Sequence, residues 1–345
     1  MGKQMVQTFW DRLMPNPFLD SVQVNISTRC NAACRYCPTG TGKLPQRDRL
    51  MDMTTFEAVS DIFPYVNYVH LQGWGEPFLH PDFFRMVAAV KAVAVPVGAT
   101  TNGVLMTDDL MERIIAAELD VLTFSLAGIG EAHNRNRKGT DFQFIMETIS
   151  RLNALKTIAG KLRPQIHVAY LLTQSDRSAI PALPTYFSGK GISEVMISSL
   201  AWAPDAAVQR EMLSTLPLPV FRKLQREIAG LNAERTAHDP VYRPYLIHPR
   251  AEGTGCLEHT NRSLVIGVEG AVWPCIMAEP ICANVPAKGI RKKIVDFQGF
   301  GNVNSRSLGG IWWSRAYRTF RHSGGGDMRH VCRMCPKKWT ASPNG

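Results

Sequence analysis

The sequence lacks the segments that mark a membrane or exported protein. None of its apolar runs approaches the roughly 20 residues that a membrane-spanning helix needs. The first residues, MGKQMVQTFWDRL, lack the apolar stretch and the small-residue cleavage site of a signal peptide. They also lack the Ser or Thr of an N-myristoylation motif. These absences predict a cytosolic protein.

The chain also lacks a continuous basic segment, although its formal net charge is +10. The basic residues are scattered, with short clusters at 291–293 and 337–338, and no stripe of them is interleaved with aromatic residues. The excess charge fits an acidic peptide or an anionic small molecule as well as a nucleic acid. Nucleic acid is therefore a poor candidate for the partner.

Eight cysteines are present, and in a cytosolic chain they argue against disulfides. Three of them, Cys30, Cys34 and Cys37, lie in the run CNAACRYC, and the other five are C-terminal. This grouping indicates metal or cluster ligation. Three thiolates at these spacings can hold three corners of a [4Fe–4S] cubane and leave the fourth iron open. A zinc site is the alternative, although zinc favours paired C-x-x-C knuckles.

The run CxxxCxxC, with the apolar segment SVQVNIS before it and Tyr36 before its last cysteine, resembles the radical S-adenosylmethionine (SAM) superfamily. The resemblance implies that Cys30, Cys34 and Cys37 hold a cluster whose open iron chelates SAM. It also implies reductive cleavage of SAM to a 5′-deoxyadenosyl radical. An electron donor such as flavodoxin or ferredoxin is implied as a partner, and Tyr36 as a cofactor contact.

Strand-like and helix-like segments alternate from about residue 21 to residue 200, and the hydrophobic content of 45% is sufficient for a large core. The predicted strands are short and apolar, as buried parallel strands are: Ser21–Ser27, Tyr65–Gln72, Val95–Thr101, Asp120–Leu126, Gln165–Leu172 and Glu194–Ser199. The predicted helices between them are Thr54–Phe63, Pro81–Ala92, Thr107–Ala117, Phe142–Ala159 and Ser178–Ser188. This order predicts a parallel α/β sheet with right-handed crossovers. It agrees with the partial (β/α)6 TIM-like barrel that the resemblance implies.

Four segments are predicted along the chain. Residues 1–20 form an N-terminal extension, and residues 21–203 form the barrel. Residues 204–250 carry a helix, Leu218–Asn232, and a connector rich in Pro, His and Arg. Residues 251–345 form a small α+β auxiliary-cluster domain with a β-hairpin.

Candidate SAM contacts lie after the predicted strands, where chemistry gathers in barrels of this kind. The second strand is followed by Gly73-Trp74-Gly75-Glu76-Pro77, which resembles the GGEP segment of the superfamily. The resemblance implies that Gly75, Glu76 and Pro77 bind the SAM amino group. An ordinary βα turn is the alternative, because Gly and Pro are common in turns.

Three further positions follow later strands or their connections. The resemblance implies that Asn102 and Ser125 offer polar groups to SAM, and that Arg137 neutralises the SAM carboxylate. Each has a structural alternative, since Asn-Gly forms turns, a serine can satisfy a strand end, and an arginine can be a solvated charge.

The C-terminal cysteines lie in a pattern of their own. A predicted hairpin, Ser263–Val268 with Ala271–Trp273, leads into Cys275, and helix-like residues Leu308–Arg321 precede a C-x-x-C knuckle. The pattern resembles the SPASM/twitch extension of radical SAM enzymes. It implies one auxiliary [4Fe–4S] cluster with four ligands: Cys256, Cys275, Cys332 and Cys335. Cys282 is the spare cysteine: a small buried hydrophobe is the favoured interpretation, and a substitute ligand or a residue near the substrate are the alternatives. A zinc ribbon is the alternative for the four.

The predicted function is that of a radical SAM oxidoreductase. It abstracts a hydrogen atom from its substrate and passes the remaining electron to the auxiliary cluster in a net oxidation. Small-molecule dehydrogenation or decarboxylation is favoured, because no N-terminal peptide-recognition domain is visible. The alternatives are a maturase that modifies a peptide or protein, and, in another class, a zinc-binding protein that interacts with RNA. The sequence identifies neither the substrate nor a catalytic base.

Overall fold

The computed structural model describes residues 19–44, 48–233, 235–248, 258–279 and 299–322. Its strands are β1 Ser21–Val24, β2 Ala33–Cys34, β3 Val69–Leu71, β4 Val97–Thr101, β5 Val121–Leu126, β6 Arg137–Lys138, β7 Gln165–Leu172, β8 Ile192–Ser199, β9 Val241–Tyr245, β10 Ser263–Ile266 and β11 Val272–Trp273. Its α-helices are α1 Met53–Ser60, α2 Phe83–Lys91, α3 Asp108–Ala116, α4 Glu131–Asn136, α5 Phe142–Ile158, α6 Leu183–Phe187, α7 Ala206–Arg210, α8 Leu218–Gly230, α9 Leu308–Trp312 and α10 Arg315–His322. Short 3-10 helices cover Phe63–Tyr65, Pro77–Leu79, Arg177–Ala182 and Leu213–Thr215.

Nine of these strands form one sheet, in the order β11-β10-β1-β3-β4-β5-β7-β8-β9. All neighbouring pairs in it are parallel except β10 with β11. The six predicted strands are its consecutive members β1, β3, β4, β5, β7 and β8. The predicted α/β fold class, a mostly parallel partial barrel followed by a C-terminal domain, is therefore confirmed.

The two faces of the strands have different environments. Along β7, alternate side chains such as Val168 and Tyr170 are fully buried, and the intervening Ala169 and Leu171 are only partly buried. The buried set faces the helices, where the ring of Tyr170 meets that of Phe187 edge-on. The other set faces the interior of the barrel. This alternation is what a strand with two unlike faces requires.

One strand and one pairing that the sequence analysis does not anticipate extend the six-stranded core. β9 lies in the segment predicted as a connector and pairs with β8. β10, the first strand of the predicted hairpin, pairs in parallel with β1, so the hairpin joins the barrel sheet directly. The C-terminal residues therefore continue the barrel at the edge next to the cysteine loop.

Two predicted helices are interrupted. The segment Ser178–Ser188 divides at Pro181 into a 3-10 helix and α6, because proline removes a backbone donor inside a helix. Leu308–Arg321 divides into α9 and α10, and the Ser314 hydroxyl accepts the N–H of Tyr317 at the start of the second helix. Within the described ranges, no helix is both long enough and apolar enough to span a membrane.

Candidate active site

The cysteine loop follows β1 and is joined to a segment far away in the sequence. Cys34 lies in β2 and stands opposite Arg137 in the antiparallel pairing of β2 with β6. Cys37 donates its N–H to the carbonyl of Cys34 over 3.1 Å, and its own carbonyl accepts the Thr41 hydroxyl over 2.8 Å. The loop is therefore held by local turns on one side and by β6 on the other.

The three thiols of the loop influence one another electrostatically. Burial raises the pKa of each thiol, and another cysteine of the trio raises it further in every case. The guanidinium of Arg137 acts on all three in the opposite sense and lowers their pKa values. Since thiolates are the ligating form, Arg137 favours ligation in a loop whose burial opposes it.

The segment Gly73–Pro77 packs directly on this loop. A Cβ atom on Gly75 would lie 2.3 Å from the carbonyl oxygen of Arg29 and 2.6 Å from that of Ser27. The N–H of Glu76 donates to the same Arg29 carbonyl over 2.8 Å. Gly75 is needed because two backbone segments meet there without space for a side chain.

Glu76 is a buried carboxyl group, only 1% exposed. Its two oxygens accept the Thr101 hydroxyl and the Asn102 N–H, each over 2.8 Å. Burial raises the pKa of this carboxyl to about 7, although both hydrogen bonds act to lower it. A carboxylate has lone pairs for further donors, and a cationic amino group beside it favours the ionised form.

Asn102 follows β4 and orients the cysteine loop. Its side-chain amide donates to Asn31 Oδ1 over 2.7 Å and lies 3.8 Å from Cys30 Sγ. Its side-chain oxygen accepts the N–H of Val104 over 3.0 Å. These contacts, together with the bond from the Asn102 N–H, connect the carboxyl of Glu76 to the first cysteine.

Arg137 carries a buried positive charge, with 9% of the residue exposed. Its Nη1 donates to the Tyr36 hydroxyl over 2.9 Å, whereas its buried Nε has no hydrogen-bond partner among the described residues. Burial acts to lower the pKa of the guanidinium, but Tyr36 and Cys34 act against it and the pKa is raised. A permanently charged group with an unpaired N–H is suited to an anionic oxygen.

A cavity of about 350 Å³ lies at the C-terminal ends of the barrel strands. Tyr36, Ser125 and Arg137 line it on the side of the cysteine loop, next to Trp74. The buried indole Nε1 of Trp74 has no hydrogen-bond partner in the described part of the chain. The remainder of the wall includes an apolar and aromatic set: Leu171, Leu200, Trp202, Tyr245, Ile247 and Met277. Such a mixture of a few polar groups with an apolar wall is typical of ligand sites.

The predicted SAM contacts therefore fall into two groups. Tyr36, Ser125 and Arg137 lie in the cavity wall. A second group is not in the wall and instead supports the loop or its turn: Gly75, Glu76, Pro77 and Asn102. Pro77 is buried and begins a 3-10 helix for which Glu76 is the N-cap. Whether either group contacts SAM remains a prediction.

Of the predicted C-terminal ligands, Cys275 is described and Cys256, Cys332 and Cys335 lie outside the described residues, as does Cys282. Cys275 follows β11 and lies in the wall of a second cavity of about 400 Å³. Glu258 lines both cavities. The second cavity therefore adjoins the first at this residue.

The donor set fits a cluster with an open iron and a bound SAM. Two buried nitrogen donors without partners among the described residues, on Trp74 and Arg137, border the cavity beside three interacting thiols. Within the described ranges, no three His, Cys, Asp or Glu side chains are arranged as ligands of one metal ion. The cysteines of a cubane bind different irons, so this cluster does not require the geometry of a single-ion site.

Two parts of the site carried no signal that the sequence analysis used. The pairing of β2 with β6 brings Arg137 to Cys34, but each of these strands has only two residues and no periodicity. Tyr245 and Ile247 reach the cavity from β9 and the residues after it. The β-branched and aromatic residues of VYRPYLIH are the signal from which β9 could have been found.

Two protein-family models match separate ranges of the chain. The model of the radical SAM superfamily matches residues 24–160, which include the cysteine loop and the first strands of the barrel. The chain therefore carries a domain that matches the radical SAM superfamily. Its C-terminal part, residues 256–336, matches the SPASM iron–sulfur cluster-binding domain. The two domains imply SAM and [4Fe–4S] clusters as cofactors, as predicted.

Two curated relatives are similar over most of the chain. The tungsten-containing aldehyde ferredoxin oxidoreductase cofactor-modifying protein of Pyrococcus furiosus is 26% identical over 309 residues, which are 86% of this chain and 82% of the relative. The PqqA peptide cyclase of Gluconobacter oxydans is 24% identical over 339 residues, 94% of this chain and 84% of the relative. The similarity therefore extends beyond the cysteine motif to both domains.

Solved structures show the same fold. Streptococcus suis SuiB bound to S-adenosylmethionine aligns with a TM-score of 0.65 at 16% identity, over 88% of this chain and 68% of that chain. Native anSMEcpe with bound AdoMet aligns with a TM-score of 0.62 at 16% identity, over 94% of this chain and 89% of that chain. SuiB has also been solved with a precursor peptide, SuiA.

Proposed function

We propose that this chain is a radical SAM enzyme that modifies a peptide or protein substrate. The single observation that carries the proposal is a largely apolar cavity beside the three cysteines, with Arg137 in its wall and the carboxyl of Glu76 buried next to the cysteine loop. The predicted small-molecule oxidation is not confirmed, and the peptide alternative has better support from the relatives. PqqA peptide cyclases match more than nine-tenths of the chain.

The cofactor side of the cavity is assigned as follows. Cys30, Cys34 and Cys37 hold the SAM-binding cluster. Glu76 receives the amino group of SAM, and Arg137 receives its carboxylate. The chemistry that the bound cluster and SAM supply is hydrogen-atom abstraction by a 5′-deoxyadenosyl radical.

The residues of this chain prepare that chemistry in two ways. Thr101 and Asn102 fix the Glu76 carboxyl by hydrogen bonds, so that it meets an incoming ammonium group without reorientation. The pKa of about 7 means that Glu76 is partly protonated at neutral pH. Binding of a cation next to it shifts the proton balance toward the carboxylate.

The far wall of the cavity supports a peptide side chain as the substrate group. Arg137 is the one Lys or Arg among the described residues that line the cavity, and it lies beside the cysteines. A substrate that carries phosphate groups or several carboxylates would therefore meet no positive charge on the described wall that carries Trp202, Ile247 and Met277. An apolar or aromatic side chain fits this wall and excludes water from it.

The auxiliary site is assigned to Cys256, Cys275, Cys332 and Cys335 as ligands of a second [4Fe–4S] cluster. An electron donor such as flavodoxin or ferredoxin is proposed as a partner. Reduced thiol ligands are consistent with a cytoplasmic location.

The cofactor assignment is tested by anaerobic reconstitution of the full chain. We expect brown protein with about eight irons per chain, four for each cluster, and reductive release of 5′-deoxyadenosine from SAM. Colourless protein containing zinc would support the zinc-binding alternative and contradict the proposal. Formation of S-adenosylhomocysteine in place of 5′-deoxyadenosine would contradict the hydrogen-abstraction chemistry.

The substrate class is tested with deuterated extract of the source organism, separated by size into a peptide and protein fraction and a metabolite fraction. Each fraction is incubated with reconstituted enzyme, and deuterium in 5′-deoxyadenosine is measured by mass spectrometry. We expect deuterium transfer from the peptide and protein fraction, and its loss after protease digestion. Transfer from the metabolite fraction alone would contradict the proposal and favour small-molecule oxidation.

A further inference from the structure

Arg137 occupies a short segment, α4 with β6, that is held by two separate sets of buried hydrogen bonds. Apart from the backbone of Arg137 itself, neither set includes a residue that lines the cavity or that is assigned above to the cofactors. The first set ends at the backbone carbonyl of Arg137, and the second ends at the preceding residue, Asn136. Their arrangement indicates what keeps the guanidinium under the cysteine loop.

The first set runs through His133, which is 0% exposed. The Ala127 N–H donates to His133 Nδ1 over 3.2 Å, so the ring carries its proton on Nε2. Nε2 then donates over 2.8 Å to the Thr140 hydroxyl, which itself donates over 2.7 Å to the carbonyl of Arg137. The directions of all three bonds agree with a single neutral tautomer.

The second set runs through Asp176, in the turn after β7. Its Oδ2 accepts the Thr173 hydroxyl over 2.7 Å and the side-chain amide of Asn136 over 3.1 Å. The same amide of Asn136 donates to the carbonyl of Ala127 over 3.2 Å. The backbone carbonyl of Asn136 accepts the N–H of Arg35, inside the cysteine loop, over 3.1 Å.

Two glycines, one on each side of Arg137, lie close to the neighbouring elements. Gly128 has a φ of +92°, and a Cβ atom there would lie 2.9 Å from Cβ of Ala132 and 3.1 Å from Oδ2 of Asp176. On the far side of Arg137, Gly139 has a φ of +91°, with its Cβ position 3.3 Å from the carbonyl of Asn31. The segment thus lies between the turn after β7 and the cysteine loop.

We propose that His133, through Thr140, and Asp176, through Asn136, are positioning residues that hold Arg137 where it receives the SAM carboxylate. This inference rests on the proposed function, in which Arg137 is a SAM contact. Hydrogen bonds that fix the backbone at Arg137 also fix the position of its side chain. The guanidinium then needs no reorientation when SAM binds.

A double-mutant cycle on SAM affinity tests the Thr140 arm. SAM binding to the anaerobically reconstituted full chain is measured by calorimetry for wild type, Thr140→Val, Arg137→Gln and the double variant. We expect Thr140→Val to weaken binding about fivefold, the equivalent of one hydrogen bond, and to have less than about a twofold effect once Arg137 is replaced by glutamine. Thr140→Ser retains the hydroxyl and is expected to bind as wild type does.

A pair of variants tests the Asp176 arm without depending on the first. Asp176→Asn keeps one oxygen that can accept both Thr173 and Asn136, and is expected to retain SAM affinity. Asp176→Leu removes the acceptor and is expected to weaken SAM binding severalfold. Thermal unfolding of each variant confirms that the chain is folded.

The outcomes separate the inference from the proposed function. Equal losses from Thr140→Val in the wild-type and Arg137→Gln backgrounds overturn the inference, as does the absence of any loss in both Thr140→Val and Asp176→Leu. Arg137→Gln protein that binds SAM as tightly as wild type also overturns it, together with the assignment of Arg137 to the SAM carboxylate. SAM cleavage by wild type would still support the proposed class of enzyme. Wild-type protein that neither binds nor cleaves SAM contradicts the proposed function, and the inference falls with it.

Discussion

The cysteine loop and the C-terminal region are stabilised in different ways. Around the loop, side-chain hydrogen bonds and close-packed glycines predominate, as in the contacts of Glu76, Asn102 and Gly75. In the C-terminal region, rings predominate. Phe300 stacks on Tyr317 with centroids 4.0 Å apart, and Trp312 meets Tyr317 edge-on at 5.0 Å. A site that must fix charge needs oriented dipoles, whereas a wall needs only buried area.

The largest expected effect separates the two cysteine sites. Cys34→Ala should abolish 5′-deoxyadenosine formation and remove the iron of one cluster, about four per chain. Cys275→Ala should remove a similar amount of iron and leave SAM cleavage measurable. Iron analysis and chromatography of 5′-deoxyadenosine check both variants. Loss of SAM cleavage in Cys275→Ala, with the first cluster intact, would contradict the separation.

Next in size is the effect of adding one methyl group beside the loop. Gly75→Ala places a Cβ atom 2.3 Å from the Arg29 carbonyl, and we expect a loss of about 3 kcal/mol in the free energy of unfolding. Urea denaturation of the metal-free full-length chain measures it. Gly230→Ala is the matched control, because no described atom outside its own helix lies within 4 Å of that Cβ position at the end of α8. The control should be neutral, or more stable by up to about 1 kcal/mol.

A pH-dependent effect on stability is expected from the surroundings of the cysteine loop, through Glu76. The folded pKa of Glu76, about 7, lies above its ordinary value of 4.5 because of burial. Between these two pH values the folded chain retains a proton that the unfolded chain releases, so this group lowers stability as pH rises through the window. The penalty is complete above pH 7 and amounts to about 3 kcal/mol.

Glu76→Gln replaces this titratable carboxyl by a neutral amide and leaves all the other titratable groups of the chain in place. The wild-type chain should therefore lose stability relative to Glu76→Gln between about pH 5 and pH 8 in urea denaturation. If the stabilities of the two proteins changed in parallel with pH, the pKa of Glu76 would not be raised by burial, and this prediction would be wrong.

The smallest effects compare hydroxyl groups in the two regions. Tyr36→Phe removes the partner of the buried Arg137 guanidinium, and we expect a loss of about 1–3 kcal/mol in the free energy of unfolding. Tyr317→Phe removes a buried hydroxyl that has no hydrogen-bond partner among the residues that the structure describes, so its stability should be unchanged or higher by less than about 1 kcal/mol. Thermal denaturation of metal-free protein distinguishes them, and a larger loss in Tyr317→Phe would contradict the comparison.

Local pattern was sufficient to predict the strands of the barrel and the class of the cofactor. Gln165–Leu172 is found with its predicted bounds because its apolar run is bounded by turns. Long-range pairing was not predictable in this way. Cys34 and Arg137 are about a hundred positions apart and meet through two-residue strands. β9 contains Pro244, which is tolerated at the sheet edge because the outer side of an edge strand needs no ladder donor.

The side-chain networks were less predictable still. His133 and Asp176 are single polar residues without a motif, and their burial together depends on two turns that follow different strands. Asn102 was predicted as a cofactor contact, but no spacing rule shows that its amide reaches Asn31. Hydrogen-bond partners of this kind are decided by three-dimensional packing, which periodicity does not encode.

The parallel pairing of β10 with β1 has a consequence for synthesis. β1 is complete by residue 24, yet one of its two edges is covered only when residues 263–266 have left the ribosome. For most of translation the strand that leads into the cysteine loop therefore presents unpaired backbone groups to other chains, a known route to aggregation. An ion pair between Arg262 Nε and Asp20 Oδ1, 2.8 Å apart, joins the two strands just before β1 begins. A chain truncated before residue 263 would keep its cysteine loop but leave that edge open.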